Sequence, residues 1–134
     1  MSVFNDDQQC FVCGRNNPAG LGIQFREHVD GQSVEAEVRF PSHLQGWQDT
    51  VHGGLLATVL DETMIKAAAI QGIKCVTAEI TVKYKSPAAT GVTYRLVGRV
   101  LDAHGRMVSA ESSIEDGSGQ VHARATGRLF KIRD

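Results

Sequence analysis

The sequence predicts an α+β fold in which a curved antiparallel sheet of five to six strands wraps around one long central helix. Three observations point there. One apolar segment runs without a breaker from Gly53-Gly54 to Gln71 and stops at Gly72. The remaining hydrophobic stretches alternate with the strand period of two. A mostly antiparallel sheet has one face to bury, and a helix that is apolar nearly all round needs covering, so wrapping one around the other satisfies both.

The elements follow in the order β-β-α-β-β-β-β. Residues 1–20 read as a turn segment, with Cys10-Phe11-Val12-Cys13 continued by Gly14 and Asn16-Asn17-Pro18. Residues 22–29 and 33–40 alternate as two strands joined at Asp30-Gly31, a hairpin signal. In the second of them Val34, Ala36, Val38 and Phe40 form one face, and Glu35, Glu37 and Arg39 the other. Residues 41–51 form a loop carrying Trp47. The helix spans 53–71. Residues 75–85 then alternate Val76, Ala78, Ile80, Val82 and Tyr84 against Thr77, Glu79, Thr81, Lys83 and Lys85, and Ser86-Pro87 ends the run. Strands at 92–101, 106–115 and 120–132 complete the set, with turns at 102–105 and 116–119. No repeat, linker or low-complexity segment interrupts them, so residues 1–134 are expected to be a single domain.

The helix carries the chemistry. Thr58, Glu62 and Lys66 share one face at i, i+4 spacing, which reads as the solvated stripe with Glu62 paired to Lys66. Asp61 falls about a quarter turn away, beside Ala57, Ile65 and Ala68, where a carboxylate is costly without a partner or a purpose. Two readings are open: a catalytic carboxylate, or an edge-of-stripe Asp hydrogen-bonded to a neighbouring strand. At the other end, Gly53 and Gly54 leave backbone N–H groups unobstructed under the positive end of the helix dipole, which suits an anion or a developing oxyanion. Eight residues of helix separate Gly53 from Asp61 by about 12 Å, too far for both to act on one reacting centre within one chain. A two-fold dimer brings the glycine end of one helix to the Asp of the other and makes two composite sites.

Composition excludes several classes. The 134 residues carry a formal net charge of −1 with dispersed basic residues, so nothing marks a nucleic-acid or anionic-membrane surface. No apolar run approaches a membrane span, and the acidic start, Met1 to Asp7, lacks the apolar core of a signal peptide. Three cysteines, an odd count, fit a reducing compartment, and a soluble cytoplasmic protein is expected. Cys10 and Cys13 make at most half a zinc site. No second Cys pair or His-x-x-x-His completes it, and His43, His52 or a partner chain would have to be recruited, so no metal is expected.

With these motifs in order, the chain resembles the hot-dog-fold acyl-CoA thioesterases of the phenylacetate-degradation (PaaI-like) branch over nearly its whole length. The resemblance rests on Cys10-Phe11-Val12-Cys13-Gly14 with Asn17-Pro18 and Gly20-Leu21, on Gln45-Gly46-Trp47, and on Val51-His52-Gly53-Gly54. It continues through Leu56-Ala57-Thr58, Leu60-Asp61-Glu62 and Tyr84-Lys85-Ser86-Pro87. It implies hydrolysis of an acyl-CoA thioester, with coenzyme A as part of the substrate and no separate cofactor. Asp61 matches the family's general base or nucleophile, and Gly53 the backbone donor that polarises the carbonyl from the partner subunit. His52 matches a histidine kept beside that glycine, whose alternative role is to hold the loop against the helix start. Thr77 matches a hydroxyl near the carboxylate, or is an ordinary strand residue. Lys85, Ser86 and Arg106 match the region where coenzyme A runs in relatives, and Gly54, Trp47 and Met64 are candidate substrate contacts. The assembly implied is a homodimer or a dimer of dimers. Where several relatives carry Asn six positions before the histidine and Gly three before it, this chain has Gly46 and Asp49. Either Gln45 substitutes or the chain manages without the Asn. Two other readings stay open: a hot-dog hydratase or dehydratase using His52, and a non-catalytic acyl-CoA-binding or sensing module.

Overall fold

The computed structural model describes residues 4–132; Met1 to Val3 of the N-terminal turn segment lie outside them. Its elements are β1 (Arg26–Glu27), β2 (Ser33–Arg39), a 3-10 turn (Ser42–Leu44), α1 (Gly53–Ala69), β3 (Cys75–Tyr84), β4 (Thr93–His104), β5 (Met107–Glu115) and β6 (Val121–Lys131). The strands form one antiparallel sheet in the order β1-β2-β4-β5-β6-β3. Helix α1 lies against its inner face through Leu56, Val59, Leu60, Thr63, Met64 and Ala67, all buried. No helix among the described residues is long and apolar enough to cross a membrane.

The expected order of elements and the inner face of β2 are present, with three differences in element bounds. The first strand shrinks to two residues, because the amides of Leu21 and Ile23 are taken by the carbonyls of Phe11 and Val12 in the N-terminal segment. The hairpin turn itself sits where Asp30-Gly31 predicts it: Asp30 accepts from the Gln32 and Ser33 amides and Gly31 has φ 69°. Strand β4 runs on to His104, because Asp102, Ala103 and His104 pair with Ser109, Val108 and Met107 after a bulge, leaving Gly105 at φ 60° to turn the chain. Helix α1 ends at Ala69, and Gly72 at φ 78° closes it, its amide bonded to the Ala69 carbonyl.

A second bulge-like irregularity, between Thr77 and Glu79 of β3, matters more. It shifts the alternation by one residue at Ala78, so Thr77, opposite buried Leu129, faces inward together with Ile80, Val82 and Tyr84, opposite Gly127, Ala125 and Ala123. The strict alternation expected from the sequence had put Thr77 on the face away from those three. Strand β3 is also the sheet's edge: it pairs with β6 on one side, and no strand among the described residues lies along the other. A ten-residue edge strand is a ready template for a second strand.

Two glycines let the helix sit close. A Cβ at Gly98 would stand 2.6 Å from Thr63 Cγ2 and 3.0 Å from the Thr63 carbonyl oxygen, and one at Gly127 would stand 2.9 Å from Met64 Cε. Met64 has a flexible side chain that can yield; the Thr63 backbone cannot. Gly98→Ala is therefore expected to lower the unfolding free energy by about 1–3 kcal/mol through overpacking. Urea denaturation checks it, as a lower midpoint with an unchanged slope.

Candidate active site

The chain reaches α1 through a loop that carries Gln45, Gly46 and Asp49. Asp49 takes φ 59°, a left-handed conformation that Asp tolerates and Gly adopts freely, and its amide donates to Gln45 Oε1 at 3.0 Å. Gln45 thus holds its own loop. Gly46 lies under His52: a Cβ there would sit 3.4 Å from both His52 Cα and Cδ2, in contact with the ring.

His52 is the N-cap of α1, with its Nδ1 accepting from the Gly54 amide at 3.0 Å. That is the structural role left open for it, and it occupies the Gly54 N–H as well. The amide of Gly53, first in the helix, finds no acceptor among the described residues, and its carbonyl accepts from the Tyr84 hydroxyl at 2.7 Å. Tyr84 lies at the far end of β3 and pins the helix start to the sheet; the sequence reading gave it no part in the site. The unengaged donor at the positive end of the dipole is Gly53 alone.

Asp61 is half-buried on the flank of the helix beside β3, and the Thr77 hydroxyl donates to its Oδ1 at 2.5 Å. The strand partner foreseen for it is therefore a hydroxyl delivered by the β3 bulge. That bond fixes the carboxylate's direction and leaves its second oxygen available. Leu55, Ala57 and Ile65, on the same broad side of the helix, are only partly buried. The helix is covered by the sheet on one side only, against the expectation of burial all round.

Other candidates are scattered. Met64, expected to contact substrate, is fully buried against Gly127 because its helix position faces the sheet, and a substrate cannot reach it there. Trp47 is 87 % exposed on the loop before the helix. Lys85 is exposed, whereas the Ser86 hydroxyl is engaged 3.0 Å from His122 Nδ1. His122 also approaches the Pro87 carbonyl and Asp116, each at 2.9 Å. Arg106, expected to share a surface with Lys85 and Ser86, stands at the opposite end of β3: its carbonyl accepts from Lys131, which pairs with Cys75. The two ends of that strand are about 30 Å apart, so one chain does not join them. Surface hollows also run elsewhere. One of 430 Å³ crosses the outer sheet face beside His28, Arg95, Arg99 and Glu111; another of 480 Å³ is lined by Cys10, Cys13, Glu62, Ile65 and Val76. Asp61 and Gly53 line neither.

Glu62 does not lie on a solvated stripe. The N-terminal segment folds over it, and the thiols of Cys10 and Cys13 donate to Oε2 and Oε1 at 3.7 and 3.5 Å, with Lys66 Nζ 4.0 Å from Oε1. Burial, and next the Glu62 carboxylate, pushes the Cys13 thiol up to about 12.

Comparison with known proteins places the fold in a family. Acyl-coenzyme A thioesterase THEM4 of Rattus norvegicus is 30% identical over 121 residues, covering 88% of this chain and 52% of that protein. The Xenopus laevis protein of the same name is 30% identical over 91 residues, covering 67% and 41%. The chain thus spans about half the length of the curated relatives it matches. Among solved structures, a thioesterase superfamily protein superposes with a TM-score of 0.85 at 28% identity, covering 92% of this chain and 63% of that one. A Bacillus halodurans protein crystallised with CoA gives 0.74 at 26%, covering 85% and 76%. The PaaI protein of the E. coli phenylacetic acid degradation operon shares the fold, at a TM-score of 0.75 and 19% identity over 82% of this chain and 83% of that one. The family model of the thioesterase superfamily matches residues 48–123, more than half of the chain and all of the segment from His52 through Thr77. With its sheet wrapped on one helix in the hot-dog manner, the chain belongs to the thioesterase superfamily.

Proposed function

We propose that the chain hydrolyses acyl-coenzyme A thioesters to the free acid and coenzyme A, in a homodimer whose sites each combine Asp61 and Thr77 of one copy with the Gly53 amide of the other. The observation that carries this reading is the Asp61 carboxylate, half-open on the helix and aimed by the Thr77 hydroxyl. Asp61 takes a proton from water as it attacks the thioester carbon, or attacks directly and is released by water in a second step. The carbonyl oxygen, gaining charge, is held by the Gly53 N–H at the helix N-terminus. The C–S bond then breaks and the thiolate leaves as coenzyme A, protonated by solvent or by the acid that Asp61 has become.

The placement of these residues supports the dimer. Gly53 sits by Tyr84 at one end of edge strand β3, and Asp61 by Thr77 at the other. Antiparallel pairing of β3 with its copy sets the Tyr84 end of one chain beside the Thr77 end of its partner. The same operation brings Lys85 of one copy toward Arg106 of the other, which supports a coenzyme A path for these cations across the interface. Ser86, held by His122, and Gly54, held by His52, contribute less; exposed Trp47 is available to the acyl group. The three cysteines are free, which suits the cytoplasm.

Thiol release from acetyl-, hexanoyl-, lauroyl-, phenylacetyl- and benzoyl-CoA tests the reading. Turnover of some members is expected, and Thr77→Val is expected to lower kcat on them by about ten- to a hundredfold, the worth of one hydrogen bond to a charged group. Tight coenzyme A binding with no turnover on any member would make the protein a sensor.

A further inference from the structure

We propose that Cys10, Cys13 and Glu62 form a zinc site that fastens the N-terminal segment to helix α1. These three residues are the group among the described residues whose donor atoms stand close enough to share a metal ion, all within 4.8 Å of one another. The spacings fit the ion. Zinc at about 2.3 Å from sulfur and about 2.0 Å from oxygen sets tetrahedral sulfur–oxygen distances near 3.5 Å. Cys10 Sγ stands 3.7 Å from Glu62 Oε2 and Cys13 Sγ 3.5 Å from Oε1, so a small rotation of the carboxylate would bring one oxygen to both sulfurs.

The backbone is built to aim both sulfurs at one point. The Gly14 amide donates to the Cys10 carbonyl at 2.9 Å, and a Cβ on Gly14 would come within 2.4 Å of the Cys10 nitrogen and 2.6 Å of its oxygen. Only glycine closes so tight a knuckle. Val12, between the cysteines, is buried in the core, which anchors the turn from the other side. Two soft thiolates with one carboxylate make a donor set suited to zinc rather than to calcium or magnesium. Charge also balances: two thiolates, one carboxylate and one Zn²⁺ sum to −1, and the Lys66 ammonium 4.0 Å from Glu62 neutralises that. Binding releases the two thiol protons to solvent. The fourth position falls to water from the adjoining hollow, which Ile65, Lys66 and Val76 also line.

Two of the three ligands lie outside the segment that carries the thioester chemistry. Cys10 and Cys13 precede the residues matched to the thioesterase superfamily, 48–123. Glu62 follows Asp61 directly, so the ion would fix the segment that flanks the carboxylate. A Cys10–Cys13 disulfide is the competing use of the pair, but it would strip Glu62 of both thiol donors and leave it only the distant Lys66.

Reduced full-length protein, purified without chelators, is to be assayed for zinc by atomic emission. Stripped protein is then titrated with Zn²⁺ and with Co²⁺. The expected result is about one zinc per chain, and a Co²⁺ form with thiolate-to-metal charge-transfer absorption. Cys13→Ser is expected to lose that absorption. Glu62→Gln, nearly the same shape and a milder change should the serine variant misfold, is expected to weaken zinc at least tenfold in competition with a chromophoric chelator. Reduced, folded wild-type protein that takes up neither Zn²⁺ nor Co²⁺, or that binds Co²⁺ without charge transfer, overturns the site. So does Glu62→Gln binding zinc as tightly as wild type. A Cys10–Cys13 disulfide that persists in glutathione buffer at cytosolic poise overturns it as well.

Discussion

Asp61→Asn is expected to lower acyl-CoA hydrolysis by about 10²- to 10⁴-fold while leaving the fold intact. Asparagine keeps the shape of the side chain, and its Oδ1 still accepts from Thr77, so the contact that orients the group survives. What disappears is the capacity to take water's proton or to attack the carbonyl. The variant is therefore a test of chemistry rather than of packing. Circular dichroism and sedimentation should match wild type, and thiol release should fall in kcat with little change in KM, since the lost interaction belongs to the transition state. Activity that survives the substitution removes Asp61 from the mechanism. His52 would then have to act despite capping Gly54 through Nδ1, and Glu62 could not easily replace it, facing Cys10 and Cys13 across the helix.

The residues differ in how far their own sequence context announced them. Asp61 was legible because a carboxylate among Ala57, Ile65 and Ala68 violates the pattern of its own helix, and such local conflicts gather at functional sites. Gly53 was legible from the helix start, and the inner face of β2 from strict alternation. Thr77 reached its place through a register shift at Ala78, which alternation cannot foresee; only the known habit of relatives pointed to it. Glu62 was misassigned for a related reason. A helical wheel knows its own element, and the cover over Glu62 comes from a segment about fifty residues earlier. A partner for Cys10 and Cys13 was sought among histidines and further cysteines, whereas the group that faces both thiols is the Glu62 carboxylate on the helix. Met64 was misplaced in the opposite sense: the apolar pattern of α1 is too uniform to show which side meets the sheet, and Gly127, the residue that receives it, is 63 positions away. Arg106 and Lys85, near one another in a list of basic residues, lie at opposite ends of one strand because the β4–β5 turn returns the chain to the start of β3.

Gly53→Pro is expected to cost about 10²- to 10³-fold in kcat, the worth of one oxyanion donor, without disturbing the helix. Gly53 is the first residue of α1, a position that favours proline because its N–H has no partner within the helix. The preceding His52, at φ −59° and ψ 131°, already has the extended conformation that proline imposes on its neighbour. The Gly53 carbonyl keeps its bond from Tyr84, and Gly54 keeps its cap. Gly53→Ala is the control: its Cβ meets the Tyr84 ring at an ordinary 3.5 Å and its N–H remains, so the gap between the two variants measures the donor alone. The pair of crippled variants also tests where the site is built. In a hybrid of one Asp61→Asn chain and one Gly53→Pro chain, one site carries both defects and the other carries neither. Co-expression should then restore up to roughly a quarter of wild-type activity, half of the dimers being hybrid with one sound site each. Recovery from two inactive parents has no source in a site confined to one chain. Its absence in isolated heterodimers would place Gly53 and Asp61 in separate roles and end the composite arrangement.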